Sequence, residues 1–122
     1  MKLPATGLEI DVPSGTVGKH SFGDVGHEVV SAATNQFLVE HSKDPDSLED
    51  AKTSSIEAYK NVQAETLADG YAVTYETEKD GKTSHLVKVR RDIGGKSYKC
   101  WTSTNDSAQA KAVLDACKTL CK

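Results

Sequence analysis

Leu8, Ile10 and Val12 alternate with Glu9 and Asp11, and the run stops at Pro13. Alternation of this kind marks a half-buried strand, because successive side chains of an extended chain project to opposite faces. The stretch 14–26 then breaks the pattern. It carries Gly15, Gly18, Gly23 and Gly26 without a steady period, which predicts a long, flexible, glycine-rich connection. From His27 to His41 two periods compete: Val29, Val30, Ala33, Phe37 and Leu38 suit a helical face, whereas Val29, Ala33, Phe37 and Val39 suit alternation. The β-branched pair at one end, Phe37-Leu38-Val39 at the other and Thr34-Asn35 between them favour two strands joined by a turn. Pro45 followed by Asp46-Ser47-Leu48-Glu49 has the spacing of a capping box, so a helix is expected from Asp46 to Tyr59. Its apolar stripe would hold Leu48, Ala51, Ile56, Ala58 and Tyr59.

The second half is patterned more strongly. Asn61 to Leu67, Tyr71 to Glu78, Lys82 to Asp92 and Lys96 to Ser103 read as strands, separated by the hairpin signals Asp69-Gly70, Asp80-Gly81 and Gly94-Gly95. A two-residue turn at Asp80-Gly81 would set Tyr71, Val73 and Tyr75 opposite Arg90, Lys88 and Leu86, which divides the apolar residues between the two faces. A three-residue turn with Gly81 as a bulge sets them opposite Val89, Val87 and His85 instead. The bulged register is therefore expected, since it gathers the large apolar side chains on one covered face. Carried across Gly94-Gly95, the alignment puts Cys100 opposite Val89 and Tyr98 opposite Arg91. A closing helix is expected from Asp106, with Gln109 completing an Asp-x-x-Gln box and Ala110, Val113, Leu114, Cys117, Leu120 and Cys121 on one stripe.

These elements predict one α+β domain over residues 1–122: an antiparallel β-meander sheet packed by a C-terminal amphipathic helix and one further helix. The length of 122 residues suits a single core. An apolar fraction of 37% with one Trp, four Tyr and two Phe makes that core lean. The net charge of −3 comes from interspersed signs and exerts no general pull on nucleic acid or an anionic membrane. Apolar runs are too short to span a bilayer or to form the core of a signal peptide, so any export segment is expected to have been removed.

The chemistry-bearing residues form no catalytic set. Gly15-Thr16-Val17-Gly18-Lys19-His20 has too few residues between its glycines for a phosphate loop, and His where Ser or Thr belongs. His85 shares the face of Cys100 but aligns near Thr104, about 13 Å along the sheet, too far for a Cys/His pair. No cofactor is expected. His20, Asp24 and His27 in the glycine-rich stretch, with His41, could supply metal or small-ligand contacts, but their spacing matches no recurring metal motif. A more distinctive group lies on the outward face of the last hairpin, where Lys88 falls opposite Trp101 and Arg90 opposite Lys99. It reads either as cationic stems packed on an indole or as a partner surface.

Cys100, Cys117 and Cys121 are the three cysteines. The closing helix must run back over the sheet to bury its stripe. Cys117 then lies about 16 Å along the helix from Asp106, against about 10 Å back along the strand to Cys100 before the intervening turn is added. The levels favour a Cys100–Cys117 disulfide with Cys121 free, and a Cys100–Cys121 bridge would need a slid or tilted helix. Either bridge implies an oxidising compartment.

The order of segments, Leu8-Glu9-Ile10-Asp11-Val12-Pro13, a hairpin, a helix from Asp46 to Tyr59 and Asp69-Gly70-Tyr71 opening a meander, resembles the PsbP-type α/β sandwich. Small bacterial envelope lipoproteins share that layout, often ending like Tyr98-Lys99-Cys100 and a helix carrying Cys117. The resemblance implies a non-enzymatic accessory protein of the periplasm or cell envelope, meeting another protein or envelope component. The lipid-bearing N-terminal cysteine of those lipoproteins has no counterpart in this sequence, and the resemblance supplies no functional residues.

Overall fold

Through most of the chain the alternating pattern does produce strands. The computed structural model describes residues 2–3, 7–11, 16–22, 26–31, 34–42 and 60–122. They form β1 (Lys2–Leu3), β2 (Leu8–Glu9), β3 (Thr16–Phe22), β4 (Gly26–Ser31), β5 (Asn35–Ser42), β6 (Lys60–Leu67), β7 (Gly70–Lys79), β8 (Lys82–Ile93), β9 (Lys96–Thr104) and one helix, α1 (Ser107–Lys118). β1 and β2 make a small ribbon, and the other seven strands make one sheet in the order β3-β4-β5-β9-β8-β7-β6. Two meanders, β3 to β5 and β6 to β9, thus meet where β5 pairs antiparallel with β9, from Leu38 opposite Trp101 to Ser42 opposite Ser97.

This corrects the α+β reading with two helices. The described residues are mostly antiparallel sheet with a single helix, and the segment from Asp46 to Tyr59 lies outside them. Strand was under-read because β3 hides in the glycine-rich stretch: Lys19 opposite Val29 and Phe22 opposite Gly26 pair it to β4. Backbone pairing with a neighbour holds a chain extended even where its side chains show no period. The two-strand reading of His27 to His41 agrees with β4 and β5, and Leu8 and Ile10 are buried while Glu9 and Asp11 are exposed.

The expected bulge at Gly81 is also corrected. Asp80 and Gly81 both have positive φ, 54° and 76°, which makes a two-residue turn and pairs Lys79 with Lys82. Tyr75 therefore faces Leu86, Val73 faces Lys88 and Tyr71 faces Arg90. A bulge would suit a sheet with one buried face, and this sheet buries apolar groups on both. Ala72, Val87, Val89, Tyr98 and Cys100 join Val29, Phe37 and Val39 in the main core beneath α1, while Tyr71, Val73 and Tyr75 with Leu86 form a second cluster on the other face. The β8–β9 register is as expected, with Val89 opposite Cys100 and Arg91 opposite Tyr98.

At the β6–β7 hairpin the two turn residues are Ala68 and Asp69, and Gly70 already pairs with Leu67. Gly70 is needed for close approach, since a Cβ there would overlap the Arg90 carbonyl. Asp69 instead accepts two bonds from Arg91, Nε to Oδ1 at 2.6 Å and Nη2 to Oδ2 at 2.9 Å. Arg91 Nη1 also donates to the carbonyls of Cys117 and Lys118 at 3.2 and 2.8 Å. One guanidinium thus joins a hairpin turn to the negative end of α1.

α1 starts as expected. The Asp106 carboxylate accepts from the backbone N–H groups of Ala108 and Gln109. The return half of the expected box is rerouted: the Asp106 N–H donates to the Thr104 hydroxyl, which donates to Gln109 Oε1. Ala110, Val113, Ala116 and Cys117 are buried over β8 and β9. The helix ends at Lys118, so the stripe does not run to Cys121. Beyond the Thr119 cap the chain turns, Leu120 is buried, and Cys121 exchanges two backbone hydrogen bonds with Glu9. Cys121 is exposed.

Candidate functional site

Cys100 in β9 and Cys117 in the last turn of α1 form a disulfide, with Cα atoms 5.8 Å apart and a sequence separation of 17. Both are buried and Cys121 is a free thiol. The strand register aims Cys100 into the core and the amphipathic stripe aims Cys117 at it, so burial alone brings the sulfurs together. A Cys100 nucleophile is excluded by the bond itself.

The basic group is assembled by the β8–β9 register, which sets Lys88 opposite Trp101 and Arg90 opposite Lys99 on the face away from α1. Trp101 is half-buried, its Nε1 donates to Glu40 Oε1 at 3.1 Å, and Lys99 Nζ lies 4.7 Å from its ring centroid. Arg90 Nε donates to Asp92 Oδ1 at 3.1 Å, and the Ser97 hydroxyl donates to the same oxygen. Burial alone would raise the Asp92 carboxyl, but the Ser97 hydroxyl and the Arg90 guanidinium outweigh it and hold the group below its ordinary value. Glu40 and Asp92 thus temper the positive charge of this face. A hollow of about 250 Å³ opens beside Trp101, bordered by Gln36, Leu38 and Ser103.

The histidines that could supply metal or small-ligand contacts lie in β3, β4 and β5. In the β3–β4 ladder His20 pairs with Glu28 and His27 with Ser21. Asp24 lies outside the described residues. His41 makes an edge contact with Tyr98, 5.9 Å between ring centroids. Among the described residues no group of three His, Cys, Asp or Glu is placed to hold a metal ion.

A constellation missed by the sequence reading lies on the helix side. Because α1 covers β8 and β9, a groove of about 340 Å³ is left between its N-terminal half and β6 to β8. His85 Nδ1 lies 3.3 Å from Glu76 Oε1, and Asn61 Nδ2 donates to Glu76 Oε2 at 2.5 Å. Asn61 reaches the carboxylate from an irregularity in β6, between Lys60 and Gln63, where its own φ is 51°. Bulges of this kind re-aim side chains, and Asn tolerates the left-handed region better than most residues. The pair Glu76 and His85 could have been found only with the two-residue turn, because the bulged register sets His85 opposite Tyr75 and Glu76 on the other face. A second hollow, about 260 Å³, shares Gln63, Thr74 and Leu114 with the first and prolongs it along α1.

No protein-family model matches this chain, and no curated protein matches it.

Proposed function

We propose that this protein is a non-catalytic accessory or binding domain that works outside the cytoplasm, in the periplasm or cell envelope, and meets a protein or envelope component through the outward face of β8 and β9. The observation that carries the compartment is the Cys100–Cys117 bridge, since cytosolic thiols are kept reduced. The partner surface is supported by Lys88, Arg90, Lys99 and Trp101, which the register sets side by side on one face, with a hollow beside Trp101. Aromatic and arginine side chains next to a depression are the usual anchors of protein interfaces. The net charge of −3 argues against nucleic acid as the partner, and no helix among the described residues is long and apolar enough to cross a membrane.

Two measurements test this reading. Peptide mapping of protein taken from its native cells under non-reducing conditions should recover Cys100 linked to Cys117 and only Cys121 alkylated. Three alkylated cysteines would overturn the compartment. The triple variant Lys88→Glu, Arg90→Glu, Lys99→Glu should lose a partner that the wild type retains from native extract, while its melting temperature stays close to that of the wild type. Equal recovery of the partner by both forms would remove the surface.

A further inference from the structure

We propose that the groove between α1 and β6 to β8 binds an alkylammonium group, with Glu76 as the anionic anchor and His85 and Asn61 as the groups that position it. Among the described residues, two side chains hold the oxygens of Glu76: the Asn61 amide donates to Oε2, and the His85 ring sets Nδ1 3.3 Å from Oε1. Each oxygen keeps a lone pair, and neither meets a Lys or Arg there. A neutral imidazole that gives its Nδ1–H to a carboxylate keeps Nε2 as an acceptor. Gln63, Thr74 and Asn61 add further acceptor oxygens along the same wall. Of the cations beside the groove, Lys60, the strand partner of Glu76, is directed to Glu78 at 2.8 Å, and Lys111 to Asp115 on its own helix at 3.5 Å. The wall is therefore rich in acceptors and carries one carboxylate fixed by the Asn61 amide and the His85 ring. Val87, Ala110 and Leu114 supply an apolar floor.

That combination is complementary to a donor-rich cation on a short alkyl chain. The carboxylate is already oriented, so little side-chain ordering remains to oppose binding. A volume of about 340 Å³ lies within the range of small-molecule sites, roughly 300–1,000 Å³. The irregular backbone at Asn61 supports the same conclusion, because a residue held at positive φ in order to reach one carboxylate is more economically explained by a site than by an edge strand alone.

The ammonium could belong to a free amine or to a lysine side chain. NMR titration of the full chain with 1,4-diaminobutane, N-acetyl-lysine amide, 1,4-butanediol and succinate distinguishes them. Either or both of the ammonium compounds should shift the His85 ring and the Asn61 side-chain amide saturably, and their relative affinity identifies the source. Neither butanediol nor succinate should do so. In Glu76→Gln the amine affinity should fall at least tenfold while the amide spectrum stays that of the folded protein. Equal response to butanediol, retained affinity in Glu76→Gln, or no response to either ammonium compound would overturn the proposal, and the first and last of these are read on the wild type alone.

Discussion

Asp92 shows how single residues are set by their neighbours. Its carboxyl is drawn below the ordinary value because the Ser97 hydroxyl and the Arg90 guanidinium outweigh the cost of burial. A carboxyl with a depressed folded-state value contributes stability above its unfolded value, about 3.9, and loses that contribution as pH falls through the folded one. Asp92→Asn should therefore be less stable than the wild type near neutral pH, by about 0.2–1 kcal/mol for so exposed a pair. The difference should begin to narrow below about pH 4 and close only once the pH has fallen past the lowered folded-state value, where the wild-type carboxyl is also neutral. Chemical denaturation of both forms across the acid range measures it, and a gap independent of pH would refute the assignment. Asp92 and Arg90 were within reach of the sequence, two residues apart on one strand face. The part played by Ser97 depends on the hairpin register, which pairs Asp92 with Ser97.

Among the elements, α1 is held at three places: the Asp106 cap at its start, the disulfide in its last turn, and Arg91 on its final carbonyls. The bridge closes a loop that the chain-entropy treatment rates at about 3 kcal/mol, out of the 5–15 kcal/mol that ordinarily separates folded from unfolded protein. Replacing Cys100 and Cys117 together by Ala should lower the melting temperature by on the order of 10 °C. Calorimetry on the double variant would show it, and an unchanged transition would mean that packing of Val113, Ala116 and Leu120 suffices alone. The helix start was legible because Asp106 with an apolar stripe is a local signal. The helix end was not. It depends on Glu9 pairing with Cys121 and on Thr119, whose hydroxyl accepts from the Asp11 N–H at 2.9 Å, contacts more than a hundred residues distant in sequence.

At the scale of the whole molecule, local pattern determined the strands β4 to β9, the start of α1, the glycine turn between β8 and β9, and the disulfide pairing. Each of these depends on residues close in sequence, or on one amphipathic helix folding back on the strand before it. Tertiary structure alone decided that β3 is a strand, since pairing holds it extended without a period of its own, and that β5 joins β9, since the period of a strand does not say which neighbour it pairs with. It also decided the register of β7 on β8. Choosing that register by burying every apolar residue on one face fails when the sheet has two buried faces, since a shift of one residue moves each side chain to the other side. That one residue hid the groove: it separates Glu76 from His85 in sequence-based alignment and brings them 3.3 Å apart in the fold.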